Sequence, residues 1–266
     1  MIVTPIKTPL IRAGSMQLLD LVDQTVEALQ DGDILAVSSK IVALCENNVR
    51  PLEDIAEDTA DATHPTDPTG RETLIAEQAD YFLPTDYSPY NYHFSIIGHT
   101  LVGSAGIDTS NADGHFVLWP KDPQASANNL RAHLMQRFSL KRLGVIITDS
   151  VSQPMRLGAI GITIAHTGFV SVNDNRGQLD LFGRPLVVSR ANTASGLAAA
   201  AVLTMGESTE QTPLCLIRDV PFIEFQDHDP TPEELATIHV SMDDDLFAPF
   251  WRSAPWQRGQ GDGQNP

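Results

Sequence analysis

Segments with the spacing of amphipathic helices alternate along the chain with short apolar runs typical of β-strands. The predicted helices span 16–29, 71–83, 125–138 and 191–205, and a short helix is expected within 38–46. The predicted strands span Ile2–Ile6, 34–37, Phe94–Ile97, Thr100–Gly103, 116–119, 145–147, 158–165 and 214–217. This alternation predicts a mixed α/β (α+β) fold in which the strands at 94–97 and 100–103 pair with each other.

Turn and cap residues mark the limits of these elements. Ser15 is the expected N-cap of the first helix, and the pair Asp31-Gly32 is its expected stop. Residues 58–70, which are rich in proline, threonine and acids, predict a surface loop. A flexible tail is expected at 251–266, so that 1–250 form one domain without a flexible linker.

The charge balance limits the partners of the protein. The 266 residues include 17 Lys plus Arg and 34 Asp plus Glu, which gives a formal charge of −17. Nucleic acid and anionic membranes are recognised by basic patches, so neither is an expected partner. Cys45 and Cys215 lie far apart and predict neither a disulfide framework nor a zinc site. Without a signal-peptide pattern or a membrane-spanning apolar stretch, we expect a cytoplasmic protein.

The chemistry-bearing residues form clusters beside apolar strands. The chain has no Walker A motif, strand-associated G-x-G-x-x-G, H-E-x-x-H or G-x-S-x-G, which disfavours the enzyme classes that use them. The first cluster spans 105–111, where Asp108 lies beside a turn of small residues and is followed by Thr, Ser and Asn111. It suits either a divalent cation with phosphate oxygens or an Asx-turn, and the residues taken alone favour the turn.

The second cluster, Thr148-Asp149-Ser150, follows the predicted strand 145–147. Catalytic groups of α/β proteins often lie at the carboxyl ends of strands, where a carboxylate can meet a metal ion. A helix or turn cap explains the same residues equally well. Arg156 is a candidate anion clamp, although most arginines are surface residues.

Two further features have a structural interpretation by default. Asp174, Gly177, Asp180 and Gly183 recur every three residues and predict successive tight turns, with Arg184 beside the last glycine. The four tyrosines all lie within 81–92, which is typical of stacking on a flat ring or of a subunit interface; a small core under the loop is the favoured interpretation. His166 is expected to be a core histidine.

In this order, the clusters resemble the coenzyme F420-0:γ-glutamyl ligase family. The matching stretches run through most of residues 1–220: GDILAVSSKIV, AGIDTSN, VLWPKDPQASA, VIITDS with Pro154 and Arg156, GAIGITIAHTGF, NDNRGQLDLFGR and LAAAAVLTMGE. Other stretches, such as MIVTPIKT and SAGIDTSN, are more similar to a bacterial subgroup described as folate-metabolism γ-glutamate ligases.

The resemblance implies two intimately packed subdomains, an intertwined homodimer, and a ligase dependent on GTP or ATP and on two Mg²⁺ or Mn²⁺ ions. Such an enzyme adds L-glutamate to the carboxylate of an acceptor, through an acyl phosphate, in a γ-linked amide. The acceptor is a folate-type pterin or an F420-type deazaflavin, and the subgroup resemblance favours the pterin.

The resemblance also assigns the site. The implied catalytic residues are Asp108, Asp149 and Arg156, and the implied metal ligands are Asp108, Asp149, Ser150 and Glu207. The implied nucleotide-binding residues are Pro9, Leu10, Ile11, Arg12, Ser38, Ser39, Lys40, Asn111, Met205, Gly206, Glu207, Ser208 and Gln211.

Three positions depart from the family pattern. Leu44 replaces a phosphate-facing lysine, Gln153 an arginine and Ser195 an acid. If the segment is helical, Lys40 lies on the same face as Leu44, and we expect it to supply the lost charge. The departures bear on the acceptor and on the choice of nucleobase more than on the metal pair. A metal-dependent phosphohydrolase and a non-catalytic nucleotide-binding homologue are the alternative functions.

Overall fold

The computed structural model describes residues 1–52, 70–88, 90 and 92–261. The strands are β1 Ile2–Ile6, β2 Asp33–Ser38, β3 Val49–Pro51, β4 Tyr81–Phe82, β5 Phe94–Ile97, β6 Thr100–Gly103, β7 His115–Val117, β8 Leu143–Ser152, β9 Ala159–Thr167, β10 Val172–Asp174, β11 Arg190–Asn192, β12 Leu214–Arg218 and β13 Gln257–Arg258. The helices are α1 Leu18–Thr25, α2 Ser39–Cys45, α3 Arg71–Gln78, α4 Pro123–Phe138, α5 Thr193–Met205, α6 Pro232–Leu235 and α7 Ala248–Trp251. The predicted mixed α/β class is confirmed.

The largest sheet, here called the central sheet, has the strand order β1-β12-β2-β8-β9. Strands β2 and β8 are parallel, and the other neighbours are antiparallel. Leu35 and Val37 of β2 pack with residues of α1, α2 and α4, whereas Ile34 and Ala36 pack with α5. Because helices cover both faces, β2 reads as an unbroken apolar run and not as an alternating one.

Helix α5 lies very close to strand β9. A Cβ atom at Gly161 would lie 2.5 Å from the Ala198 carbonyl oxygen, so this position of the strand requires glycine. The alanine run of α5 gives the helix a smooth surface there, and Ala194, Ala198 and Ala201 are buried. The small residues of the strand and of the helix therefore allow the two backbones to approach closely.

A second sheet, with the order β13-β4-β5-β6, lies beside a separate small core. That core joins Leu74 and Ile75 of α3 to Ile107 and to Phe116 of β7. Ile107 directly precedes Asp108, so packing in this core holds the segment that carries the first acidic cluster. The predicted pairing of β5 with β6 is confirmed.

The first helix is shorter than predicted, and its expected cap is wrong. It spans Leu18–Thr25 with Gln17 at the N-cap, and the Ser15 hydroxyl donates instead to the Arg12 carbonyl oxygen. The helix ends at Thr25, and Asp31, which was expected at its end, forms hydrogen bonds with a distant segment. Its carboxylate accepts the N–H groups of residues 141 and 142, at the start of β8.

Two other predicted ends are also wrong. Helix α3 stops at Gln78, because Tyr81 and Phe82 pair with β5. Strand β8 continues to Ser152, because β9 runs antiparallel beside it, so the second acidic cluster lies within the strand and not after its end.

The C-terminal residues are partly tied to the second sheet, in contrast to the tail expected from residue 251. Strand β13 pairs with β4, and the Gly259 N–H donates to the Asp80 carbonyl oxygen. Residues 262–266, like 58–69 of the predicted loop, lie outside the described residues. Within the described ranges, no helix has the length and apolar character needed to cross a bilayer.

Candidate functional site

A cleft of about 300 Å³ opens beside the middle of the central sheet. Its wall is formed by five segments: 8–11, 38–44, 106–118, 148–150 and 202–213. Fifteen of the residues predicted for the site line it: Pro9, Leu10, Ile11, Ser38, Ser39, Lys40, Asp108, Asn111, Asp149, Ser150, Met205, Gly206, Glu207, Ser208 and Gln211. The fold thus brings the two acidic clusters into one cavity.

The strand pairing explains why these segments converge. In the parallel pair β2–β8, Ser38 lies opposite Thr148, so the start of α2 and Asp149 are neighbours. Strand β12 runs antiparallel to β2, so the residues just before β12 lie beside the carboxyl end of β2. The Ser38 N–H donates to the Pro213 carbonyl oxygen there at 2.9 Å. The crevice at the carboxyl ends of neighbouring strands is a common binding location in α/β proteins.

Asp149 lies half-buried in the cleft wall, and no cationic side chain in the described part of the chain forms an ion pair with it. Its Oδ1 accepts the Ser150 N–H at 2.8 Å, and its Oδ2 accepts the indole N–H of Trp119. Burial raises the pKa of the Asp149 carboxyl to about 6, and the nearby negative charge of Asp108 adds to this effect. The site therefore holds a carboxylate whose charge is poorly compensated.

Asp108 lies in a more exposed position on the opposite segment. Its Oδ2 is 2.5 Å from the Lys40 ammonium, and its Oδ1 accepts the Ser110 N–H at 2.8 Å, as in an Asx-turn. Partial burial opposes ionisation, but Lys40 and the Ser110 donor hold the pKa of Asp108 below its ordinary value. The predicted Asx-turn is therefore confirmed, and its carboxylate faces the cleft, while cation binding by this cluster stays a prediction.

Further contacts join the cleft segments to one another. The Asn111 amide donates to the Ser208 carbonyl oxygen at 2.9 Å, which ties the first acidic cluster to the segment after α5. The Ser150 hydroxyl lies 3.5 Å from a Glu207 carboxylate oxygen. The Lys40 ammonium also donates to the Ser110 carbonyl oxygen at 3.1 Å. These bonds give the cleft a fixed arrangement of oxygen atoms.

The oxygen donors are chemically suitable for a hard divalent cation. Asp108, Asp149, Glu207 and the Ser150 hydroxyl supply the ligand type that Mg²⁺ prefers, usually as one or two carboxylates together with phosphate oxygens. The raised pKa of Asp149 fits this interpretation, because a cation would offset the repulsion between the two carboxylates. In the described ranges, no set of three or more His, Cys, Asp or Glu residues is arranged to hold a metal alone.

Two predicted site residues lie outside the cleft. Arg12 is exposed and forms an ion pair with Asp113 at 2.9 Å. Arg156 is exposed in the turn between β8 and β9, where its guanidinium donates to the Met155 carbonyl oxygen. The turn extends past the end of the paired strands, which explains why Arg156 is separated from the acidic pair. Its catalytic role stays a prediction.

The remaining clusters are structural within this chain. The Asp180 carboxylate accepts the N–H groups of Phe182 and Arg184, and Gly183 has a φ of 78°, as the predicted tight turns require. His166 is buried, as expected, and burial lowers its pKa to about 4. Of the tyrosines, Tyr92 packs edge-on against Phe94, and Tyr90 is exposed.

Some residues of the site are not predicted from the sequence. Thr8 lines the cleft, and Trp119 bonds to Asp149 from behind its wall. Trp119 lies thirty positions from Asp149, and no local pattern connects the two. Only the weak signal of an aromatic residue after a strand could have drawn attention to it.

Comparison with known proteins places the cleft within one enzyme family. The family model described as F420-0:Gamma-glutamyl ligase matches residues 5–219, which include every cleft residue. The coenzyme F420:L-glutamate ligase of Methanothermobacter thermautotrophicus is 34% identical over 227 residues, covering 80% of this chain and 86% of the relative. The enzymes so named from Methanosarcina mazei (34% identity, 81% and 84% covered) and Methanocaldococcus jannaschii (31%, 82% and 88%) are similar. The resemblance inferred from the sequence is confirmed.

Proposed function

Because the chain belongs to the F420-0:gamma-glutamyl ligase family and is thus an amide-bond-forming ligase, we propose that it adds L-glutamate to an F420-type acceptor. The names of the relatives, coenzyme F420:L-glutamate ligase, support a deazaflavin acceptor over the folate-type pterin that the subgroup resemblance favours. The observation that carries the proposal is the convergence of Asp108 and Asp149, forty-one positions apart, in one cleft.

The reaction that we propose has two steps. An acceptor carboxylate is a poor electrophile, so its oxygen first takes the γ-phosphoryl group of GTP or ATP, and the nucleoside diphosphate leaves. The glutamate amine then attacks the carbonyl carbon of this acyl phosphate, an amine proton is lost, and inorganic phosphate departs. Two bound Mg²⁺ or Mn²⁺ ions would offset the negative charge on the phosphate oxygens.

In this proposal, each wall of the cleft has a separate task. Asp108 and Asp149, with the Ser150 hydroxyl and Glu207, hold the cations. The segments 8–11, 38–39 and 205–211, with Asn111, contact the nucleotide. Their convergence on the cavity that contains the two acids supports this division.

Lys40 supplies the phosphate-facing charge in place of Leu44. The two residues are four positions apart on helix α2, and both line the cleft. The Lys40 ammonium lies beside the carboxylate of Asp108, which supports a position close to the proposed cations. A triphosphate would bring more negative charge to the same place.

We also propose that two copies of the chain associate through the hairpin formed by β10, β11 and the residues between them. Leu181 and Phe182 at its tip are 98% and 89% exposed, and Val188 of the same hairpin is 84% exposed. Large exposed apolar side chains on one extension are typical of an interface. Phe182→Asp is expected to convert a dimer to a monomer in size-exclusion chromatography with light scattering; an unchanged mass would contradict this interface.

The test of the activity is mass spectrometry of the acceptor. Reactions contain labelled L-glutamate, Mn²⁺, either GTP or ATP, and either a deazaflavin or a pterin acceptor. We expect one labelled glutamyl group on the deazaflavin, its loss in Asp149→Asn, and its retention in the control Asp20→Asn, which changes an exposed acid on α1.

The same reactions separate the alternative functions. Nucleotide hydrolysis that needs neither glutamate nor acceptor would identify a phosphohydrolase. Nucleotide binding without turnover would identify a non-catalytic homologue. A glutamyl group on the pterin alone would retain the ligase and change its acceptor.

A further inference from the structure

Trp119 makes a hydrogen bond that its packing does not require. It lies two residues after β7, is half-buried, and donates its indole N–H to Oδ2 of Asp149. The other oxygen of the same carboxylate accepts the Ser150 N–H at 2.8 Å. The Ser39 hydroxyl bonds to this carboxylate as well. With donors on both oxygens, the carboxylate cannot rotate freely, and a lone pair remains for a cation.

The indole is held in place by two neighbouring segments. A Cβ atom at Gly106 would lie 2.0 Å from the indole nitrogen, so the ring occupies the space of an absent side chain, and the Gly106 φ of 70° also favours glycine. The Asn48 amide donates to the Trp119 carbonyl oxygen at 2.6 Å. The ring is therefore anchored on both sides before it reaches Asp149.

This position sets the spacing between the two acidic segments. Gly106 lies two residues before Asp108, so the indole touches the segment of one carboxylate and bonds to the other. An apolar ring of similar size would fill the same space without contacting the charge. The N–H group is the part of the side chain that space-filling does not explain.

We infer that Trp119 is a positioning residue that orients the Asp149 carboxylate toward the bound cation. The inference rests on the proposed function, because it assigns Asp149 as a cation ligand. Partners of this kind fix the orientation of metal ligands, and their loss typically weakens metal affinity about 10- to 100-fold.

The direct test compares Mn²⁺ binding by the wild-type chain, Trp119→Phe and Trp256→Phe. Phenylalanine keeps the ring and removes the N–H, and Trp256 is the matched control because its N–H donates to the remote Trp251 carbonyl oxygen. Calorimetry and the electron paramagnetic resonance signal of free Mn²⁺ are expected to show 10- to 100-fold weaker binding in Trp119→Phe only. In ligation assays, the Mn²⁺ requirement should rise while KM for L-glutamate stays unchanged.

A second measurement uses the natural residue and does not depend on how the variant folds. Binding of Mg²⁺ should change the tryptophan fluorescence of the wild-type chain and of Trp256→Phe, because the indole bonds to a cation ligand. The change should be absent from Trp119→Phe. A wild-type chain that binds Mg²⁺ by calorimetry without any fluorescence change would count against the inference.

The outcomes distinguish this inference from the proposed function. If Trp119→Phe binds Mn²⁺ as tightly as the wild type, even with lower thermal stability, the indole only fills space and the inference is overturned while the ligase stands. If the wild-type chain binds no Mn²⁺, with or without non-hydrolysable GTP or ATP analogues, and adds no glutamate to either acceptor, both are overturned.

Discussion

Asp108 and Asp149 face the same cleft, but the chain places their carboxylates in opposite electrostatic settings. Asp108 lies on a turn, partly exposed, and Lys40 compensates its charge. Asp149 lies within β8, where its partners are neutral N–H groups and the Ser39 hydroxyl, and burial raises its pKa. The comparison indicates that an ion pair already compensates the charge of Asp108. Burial of the Asp149 charge, in contrast, costs free energy that a bound ligand of opposite charge would offset.

The largest expected effect is on ligation. Asp149→Asn should lower the rate of glutamate addition on the order of 1,000-fold, because removing one charged group that acts on a phosphoryl transfer costs several kcal/mol. Asp108→Asn should lower the rate as well, but less, since Lys40 is then released to face the phosphates. Ligation rates from mass-spectrometric time courses show which variant loses more activity. A larger loss in Asp108→Asn than in Asp149→Asn would contradict the contrast between the two acids.

The next effect concerns Lys40, whose ammonium forms an ion pair with Asp108 and not with Asp149. Lys40→Ala should weaken nucleotide binding about tenfold or more, the range of a charge-assisted hydrogen bond to phosphate. Lys7→Ala removes an exposed lysine outside the cleft and is the matched control. Calorimetric titration with a non-hydrolysable nucleotide measures both. Equal affinities for the two variants would show that Lys40 does not replace the charge missing at Leu44.

Stability should respond in opposite directions at the two acids. At pH 8, Asp149→Asn should raise the free energy of unfolding by about 1–3 kcal/mol, because it removes a charge that burial disfavours. Asp108→Asn should lower it by about 0.5 kcal/mol, the range of a partly exposed ion pair. Urea unfolding of each variant without added cation measures these differences, and equal signs would contradict the contrast.

The smallest effect is the pH dependence of that difference. The pKa of Asp149 is about 6 in the folded chain and 3.8 in the reference state, so the unfolded chain loses this proton first as the pH rises. The stability of the wild type relative to Asp149→Asn should therefore fall between about pH 4 and pH 7 and then level off. Unfolding curves at pH 4, 5.5 and 7 follow the change; a difference independent of pH would show that the Asp149 carboxyl is not perturbed.

Local patterns predicted much of the fold. The limits of β1, β5 and β6 agree with their apolar runs, and α4 and α5 begin within two residues of prediction. The errors fall where a distant bond decides where an element ends. Asp31, after the end of α1, bonds to the residues just before β8, and β9 extends β8 through Asp149. Such bonds leave no periodic signal in either partner.

The sequence predicted which residues form the site better than it predicted how they contact one another. Both acidic clusters were identified from the residues themselves, and most of the proposed nucleotide-binding residues through the family resemblance; they line one cleft. The position of Arg156 outside it, the pairing of Lys40 with Asp108, and the Trp119 contact were not. Each depends on how separate segments pack, which spacing along the chain does not describe.

The sequence by itself determined the class of elements, the residues able to hold cations and phosphates, and the family. Composition and short-range periodicity encode these directly, since they depend on the side chains present and on their neighbours in the chain. Only the tertiary structure decided which acid is compensated and which is not. That difference comes from burial and from partners some thirty to seventy positions away, whose distances are fixed when the sheet and its covering helices assemble.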